Sequence, residues 1–110
     1  VNHANEIDAG VLHACARLGR SGAVLLNQAV LLRGVNDDPG ILARLSEALF
    51  EAGVLPYYLH LLDRVQGAAH FDVPEPAAQS LYAALQASLP GYLVPRLVRE
   101  VAGAEHKRRV

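Results

Sequence analysis

The sequence predicts an α/β domain in which three parallel strands alternate with helices, in the order α-β-α-β-α-β. Two runs, Ala23–Leu32 and Val54–Leu62, read as strands, and the first is apolar almost throughout instead of alternating, as in a parallel strand covered on both faces. Between and around them, apolar residues recur at helical spacing. The links are short, and alternation of this kind with short links implies parallel strands joined by right-handed crossovers.

The first helix is marked by the stripe Ile7, Val11, Ala14, Cys15 and Leu18, and Gly19 and Gly22 end it. The first strand follows over Ala23–Leu32, broken only by Asn27-Gln28. Arg33–Asp38 is a polar turn containing Gly34, and Asp38-Pro39 offers a capping carboxylate followed by proline at the first helical position. Ile41, Leu45, Ala48, Leu49 and Ala52 form the second helical stripe, stopped by Gly53. Val54–Leu62 is the second strand, with Pro56 near its start, where a missing N–H costs least. Asp63–Pro76 is a long loop. Ala77, Leu81, Ala84, Leu85 and Ser88 mark a third helix, ended by Pro90-Gly91. Tyr92–Val101 reads as the third strand and Ala102–Val110 as a tail that ends in a basic run.

The chain has 110 residues, enough to bury about 65% of its unfolded surface around one core. With 52% hydrophobic and 19% charged residues it is not a disordered segment. A formal net charge of −1 argues against a general nucleic-acid binder. No apolar stretch approaches the roughly 20 residues that span a bilayer. Cys15 is the single cysteine, so this chain alone supplies no disulfide, CxxC zinc site or cysteine-ligated cluster. The polar opening Val1–Glu6 has no signal-peptide pattern, and a soluble cytoplasmic protein is expected.

In such folds chemistry sits at the carboxyl ends of the strands. Asp63, directly after the second strand, could hold a substrate ammonium or serve as a cap or a partner of Arg64. Asn27-Gln28 could meet a ligand or simply satisfy neighbouring backbone. Glu100 lies at the end of the third strand. His70 could act in acid–base chemistry or be structural. His3 could touch a ligand or cap the first helix, while His13 and His60 read as structural. Asn36-Asp37-Asp38 lacks the spacing of a calcium loop and reads as turn and helix cap. Lys107, beside Arg108-Arg109, reads on composition as part of a solvated charge run.

Several uncommon blocks then occur in order: His3-Ala4-Asn5-Glu6-Ile7; Asn27-Gln28 with Leu31–Asp37; Pro56-Tyr57-Tyr58; Asp63; Gly67 with His70-Phe71; and Pro90-Gly91-Tyr92-Leu93-Val94-Pro95. Together they resemble the C-terminal part of the lysine 2,3-aminomutase family, over nearly the whole chain. The form Leu61–Phe71 is closest to the branch that makes β-lysine for elongation factor P.

The resemblance implies a radical S-adenosylmethionine enzyme built on a partial (β/α) barrel. Residues 1–101 would be its last βα units and residues 102–110 a tail carrying the pyridoxal phosphate (PLP) lysine. It implies three cofactors: PLP, S-adenosylmethionine and a 4Fe–4S cluster whose ligands lie outside this chain. The family's PLP lysine stands 12 residues after the proline of the last barrel block, which is Lys107 here, 12 after Pro95. Lys107 is therefore the implied catalytic and cofactor-binding lysine. Asp63, 44 residues before Lys107, matches a carboxylate that binds the side-chain ammonium of substrate lysine, and Glu100, seven before it, matches a second. Gln28 matches a residue on the S-adenosylmethionine side. No metal ligand is implied within the chain. The implied reaction is a 1,2-amino shift started by a 5′-deoxyadenosyl radical, which moves nitrogen from C2 to C3 of lysine.

Three departures stand out: the CxxxCxxC cluster motif is absent, Arg108-Arg109 replaces the usual Thr-Pro after the PLP lysine, and Ala4 replaces a common Pro. The chain is accordingly expected to be the C-terminal portion of a longer isomerase, inactive alone and prone to form a homo-oligomer. Its implied partners are lysine and the elongation factor P pathway, with neither nucleic acid nor membrane. The competing expectation is a non-catalytic α/β remnant or interaction module.

Overall fold

The computed structural model describes residues 1–61, 73–100 and 107–109, with Glu100 and Lys107–Arg109 described as backbone only. The helices are α1 (Ala9–Arg20), α2 (Pro39–Glu51) and α3 (Glu75–Ser88). The strands are β1 (Leu25–Leu31), β2 (Val54–Leu61), β3 (Arg96–Glu100) and β4 (Lys107–Arg109). One sheet has the order β1-β2-β3-β4. The first three strands are parallel, as alternation implied, and β4 returns antiparallel to β3. Because the parallel strands are adjacent in chain order, every crossover steps in the same direction across the sheet.

Local chemistry explains the boundaries. Asp38 caps α2, its carboxylate accepting from the N–H groups of Gly40 and Ile41 at 2.8 and 3.2 Å. Gly53 ends the following turn at φ +80°, a conformation that favours glycine. Asp8 caps α1 in the same way as Asp38 caps α2, accepting from Val11. Helix α3 starts at Glu75, earlier than the apolar spacing suggests, because Pro76 fits the first turn, where no N–H is required. The expected third strand is shorter than its apolar run: Gly91–Leu93 forms a 3₁₀ turn after Pro90, and the ladder begins only after Pro95. Tyr82 fixes this entry, its hydroxyl donating to the Pro95 carbonyl at 2.6 Å.

The core lies between the sheet and the helices. Ala29 and Leu31 of β1, Leu59 and Leu61 of β2 and Leu97 of β3 pack with Leu42, Leu45 and Leu49 of α2 and with Ala78 and Leu85 of α3. The opposite face differs from the sequence expectation of a first strand covered on both sides. Among the described residues, Leu26 and Leu55, partners across β1 and β2, remain 49% and 38% exposed.

Strand β2 changes phase once. Asn27 pairs with Pro56 but Gln28 with Tyr58, leaving Tyr57 as an extra residue. Val54 and Pro56 before it, and Leu59 and Leu61 after it, all point into the core. Tyr58 and His60 consequently share the open face with Gln28.

An asparagine cluster closes the carboxyl end of β1. Asn36 is 0% exposed. Its Oδ1 accepts from Leu32 N–H at 2.7 Å, and its Nδ2 donates to the carbonyls of Asn2 and Val30 at 2.8 and 2.9 Å. The Asn2 side chain accepts from Val30 N–H at 2.9 Å.

Candidate functional site

The open face of the sheet carries polar groups in its middle. Gln28 extends from β1 and His60 from β2, with His60 Nε2 donating to Gln28 Oε1 at 3.0 Å. This bond leaves the Gln28 carboxamide N–H groups as its presented donors. The Tyr58 ring lies 5.7 Å from that of His60, and Tyr57 packs edge-on to Tyr58 with centroids 4.5 Å apart. The Arg96 guanidinium sits 5.8 Å from the Tyr57 ring centroid. His60, read from sequence as structural, thus holds the orientation of a candidate site residue. Hydrophobic spacing cannot reveal this, because the contact depends on the register between β1 and β2.

Asn27, one residue earlier, points the other way. It is buried and exchanges hydrogen bonds with Val1, accepting from the Val1 nitrogen at 3.1 Å and donating to the Val1 carbonyl at 3.0 Å. It therefore satisfies backbone, whereas Gln28 faces the open side. His3 is likewise local, its Nδ1 accepting from Asn5 N–H in a capping arrangement completed by Glu6.

At the far side of the sheet, the β3–β4 register sets Glu100 opposite Lys107. Cross-strand partners of this kind have α-carbons about 4.5–5.5 Å apart. The basic tail expected from sequence therefore includes a short strand that brings these two candidate residues together. Lys107 is also the only lysine in the sequence, and so the only side-chain amine of the chain that can condense with an aldehyde. Asp63, His70 and Phe71 lie outside the described residues.

This arrangement fits two of the three implied cofactors. Lys107, the sequence's sole lysine, is of the residue type that holds PLP, and an oriented carboxamide on the open face suits the polar groups of S-adenosylmethionine. The iron–sulfur cluster does not fit: Cys15 lies alone on α1, and no group of metal-ligating side chains occurs among the described residues.

No family model matches the chain. Individual relatives do match. An L-lysine 2,3-aminomutase from Escherichia coli is 55% identical and one from Haemophilus influenzae 54% identical, each over 97% of this chain. One from Clostridium subterminale is 37% identical over 99% of it. The chain is similar to one portion of the L-lysine 2,3-aminomutases. It spans about a third of the length of the first two aminomutases, 31–32%, and 26% of the third. No described helix is long and apolar enough to cross a membrane.

Proposed function

We propose that this chain is the C-terminal portion of an L-lysine 2,3-aminomutase, the part of a partial (β/α) barrel that converts α-lysine to β-lysine. Its 54–55% identity to two L-lysine 2,3-aminomutases over 97% of the chain carries this reading. The singly wound order β1-β2-β3 agrees with a barrel segment. The Glu100–Lys107 register supports placing the cofactor lysine beside a substrate carboxylate.

In this reading each residue has a definite task. Lys107 holds PLP through its amine, which must lose its proton to attack a carbonyl carbon. Asp63 and Glu100 bind the ε-ammonium of lysine; two carboxylates around one ammonium offset its desolvation and measure side-chain length. That pairing also rejects an acidic substrate side chain by like-charge repulsion. Gln28, oriented by the sheet, offers amide donors to S-adenosylmethionine. When bound, PLP and S-adenosylmethionine supply the radical chemistry, and the protein positions and shields it. Iron–sulfur ligands come from outside this chain. Modification of elongation factor P is the proposed destination of the product, on the form of Leu61–Phe71.

The test joins this chain to the unmatched portion of the Escherichia coli relative and follows lysine by mass and chromatography. Formation of β-lysine is expected, with Lys107→Ala losing both PLP absorption and turnover, and Asp63→Ala losing lysine use. Undiminished turnover in either variant removes that residue from its role. An iron-loaded joined chain that forms no β-lysine favours a non-catalytic module.

A further inference from the structure

The two faces of the β3–β4 ladder carry different charge patterns. Residues opposite each other in an antiparallel pair share a face, and successive residues alternate between faces. Val98 with Arg109 and Glu100 with Lys107 therefore lie on one face, and Arg99 with Arg108 on the other. The first face sets a carboxylate residue against a cationic one. The second sets two arginines against each other, which is destabilising by itself.

Arg99 shows a matching deficit in its own bonding. Leu97 belongs to the core beneath the helices, and Arg99, two residues on, takes the same face of β3. Arg99 is half-buried, and its Nε is buried without a hydrogen-bond partner among the described residues. A buried donor left unpaired is costly, and more so on a charged group. A carboxylate stands at the same level of the fold. Helix α3 runs back along β3 with Tyr82 bonded to Pro95, and both Glu75 and Arg99 lie about 10–13 Å beyond that bond. Glu75 nevertheless does not bond Arg99 Nε. Arg108 stands where the aminomutase family usually has Thr, so the second guanidinium is no general feature of that family.

We propose that Arg99 and Arg108 form a binding site for a phosphate group, free or carried by a small phosphomonoester, on the helix-facing side of β3 and β4. A phosphomonoester carries a charge of about −1.5 to −2 at pH 7 and so balances two guanidiniums, whereas one carboxylate leaves a positive charge uncompensated. Its oxygens accept the forked N–H groups that arginine presents, Nε among them. The partial exposure of Arg99 leaves the site open to a ligand from solvent. Arg108 and Lys107 lie on opposite faces of β4, so this phosphate sits across the sheet from the lysine proposed for PLP. The site stands whether or not the chain serves an aminomutase.

The test uses the chain joined to the unmatched portion of the Escherichia coli relative, labelled with nitrogen-15 arginine and supplied with PLP. Inorganic phosphate is titrated at constant ionic strength, held with chloride, and the Arg99 Nε–H resonance is followed. A saturable shift is expected. Arg108→Thr should weaken the apparent affinity at least tenfold, and so should Arg99→Lys, which keeps the charge but loses the fork, read from the thermal midpoint. Arg109→Gln, on the other face, should leave it within twofold. Matched far-ultraviolet circular dichroism shows that the variants are folded. Equal weakening by Arg108→Thr and Arg109→Gln overturns the proposal in favour of a solvated charge run. A response that chloride reproduces means an adventitious ion only, and also overturns it. Acetate as effective as phosphate overturns the phosphate assignment in favour of a carboxylate, and an Arg99 resonance unmoved by phosphate overturns the site itself.

Discussion

Replacing Asn36 by alanine tests whether one buried amide holds the carboxyl end of β1. The substitution removes three hydrogen bonds, to Leu32 N–H and to the carbonyls of Asn2 and Val30. At a net value of about 1 kcal/mol each, the loss is about 3 kcal/mol. That is a large share of the roughly 5–15 kcal/mol by which a domain of this size is stable. With a urea slope of about 1–1.5 kcal/mol/M, the unfolding midpoint falls by about 2–3 M. Urea titration followed by circular dichroism measures this, and an unchanged slope shows that the loss belongs to the folded state. Asn36→Asp sharpens the test. It keeps the acceptor for Leu32 but turns a carboxylate toward two carbonyl oxygens at a site with 0% exposure. It is expected to destabilise more than alanine. A cost below about 1 kcal/mol for alanine, or aspartate better tolerated than alanine, refutes the account of Asn36 as a three-way clamp.

Two further substitutions probe the frame around the candidate site. Asp38→Ala removes the cap of α2 and is expected to cost about 1 kcal/mol, read as a lower urea midpoint with little change in far-ultraviolet circular dichroism. Leu59→Ala empties a fully buried position between β2 and the helices, and should cost about 2–5 kcal/mol by the same titration. A Leu59→Ala effect as small as that of Asp38→Ala would mean that the core collapses into the gap.

Much of this fold was legible because its signals are local. The Asp38-Pro39 pair announced the start of α2, and the apolar runs located β1 and β2 to within two residues of their ends. The candidate site was less legible because its contacts are not local. Asn36, which reads as a turn residue, reaches Asn2 across 34 positions, and Gln28 reaches His60 across 32. Strand β4 is Lys107-Arg108-Arg109, residues without the β-branched or aromatic character that marks strands, so only pairing with β3 defines it. The resemblance to the aminomutases singles out Lys107 and Glu100 for separate roles, and the sheet register is what sets them opposite each other.

The extra residue at Tyr57 acts as a frame marker for half the molecule. In a strand, a side chain's address is its parity. Val54 and Pro56 are even-numbered and Leu59 and Leu61 odd-numbered, so β2 needs a shift of one to send all four to the core. Tyr57 supplies that shift: deleting it would leave the four at alternate positions of an unbroken strand, with Tyr58 and His60 still on the open face. The bulge is thus a place where β2 can lose a residue and keep both faces, whereas a deletion between Leu59 and Leu61 would swap the faces for every residue beyond it.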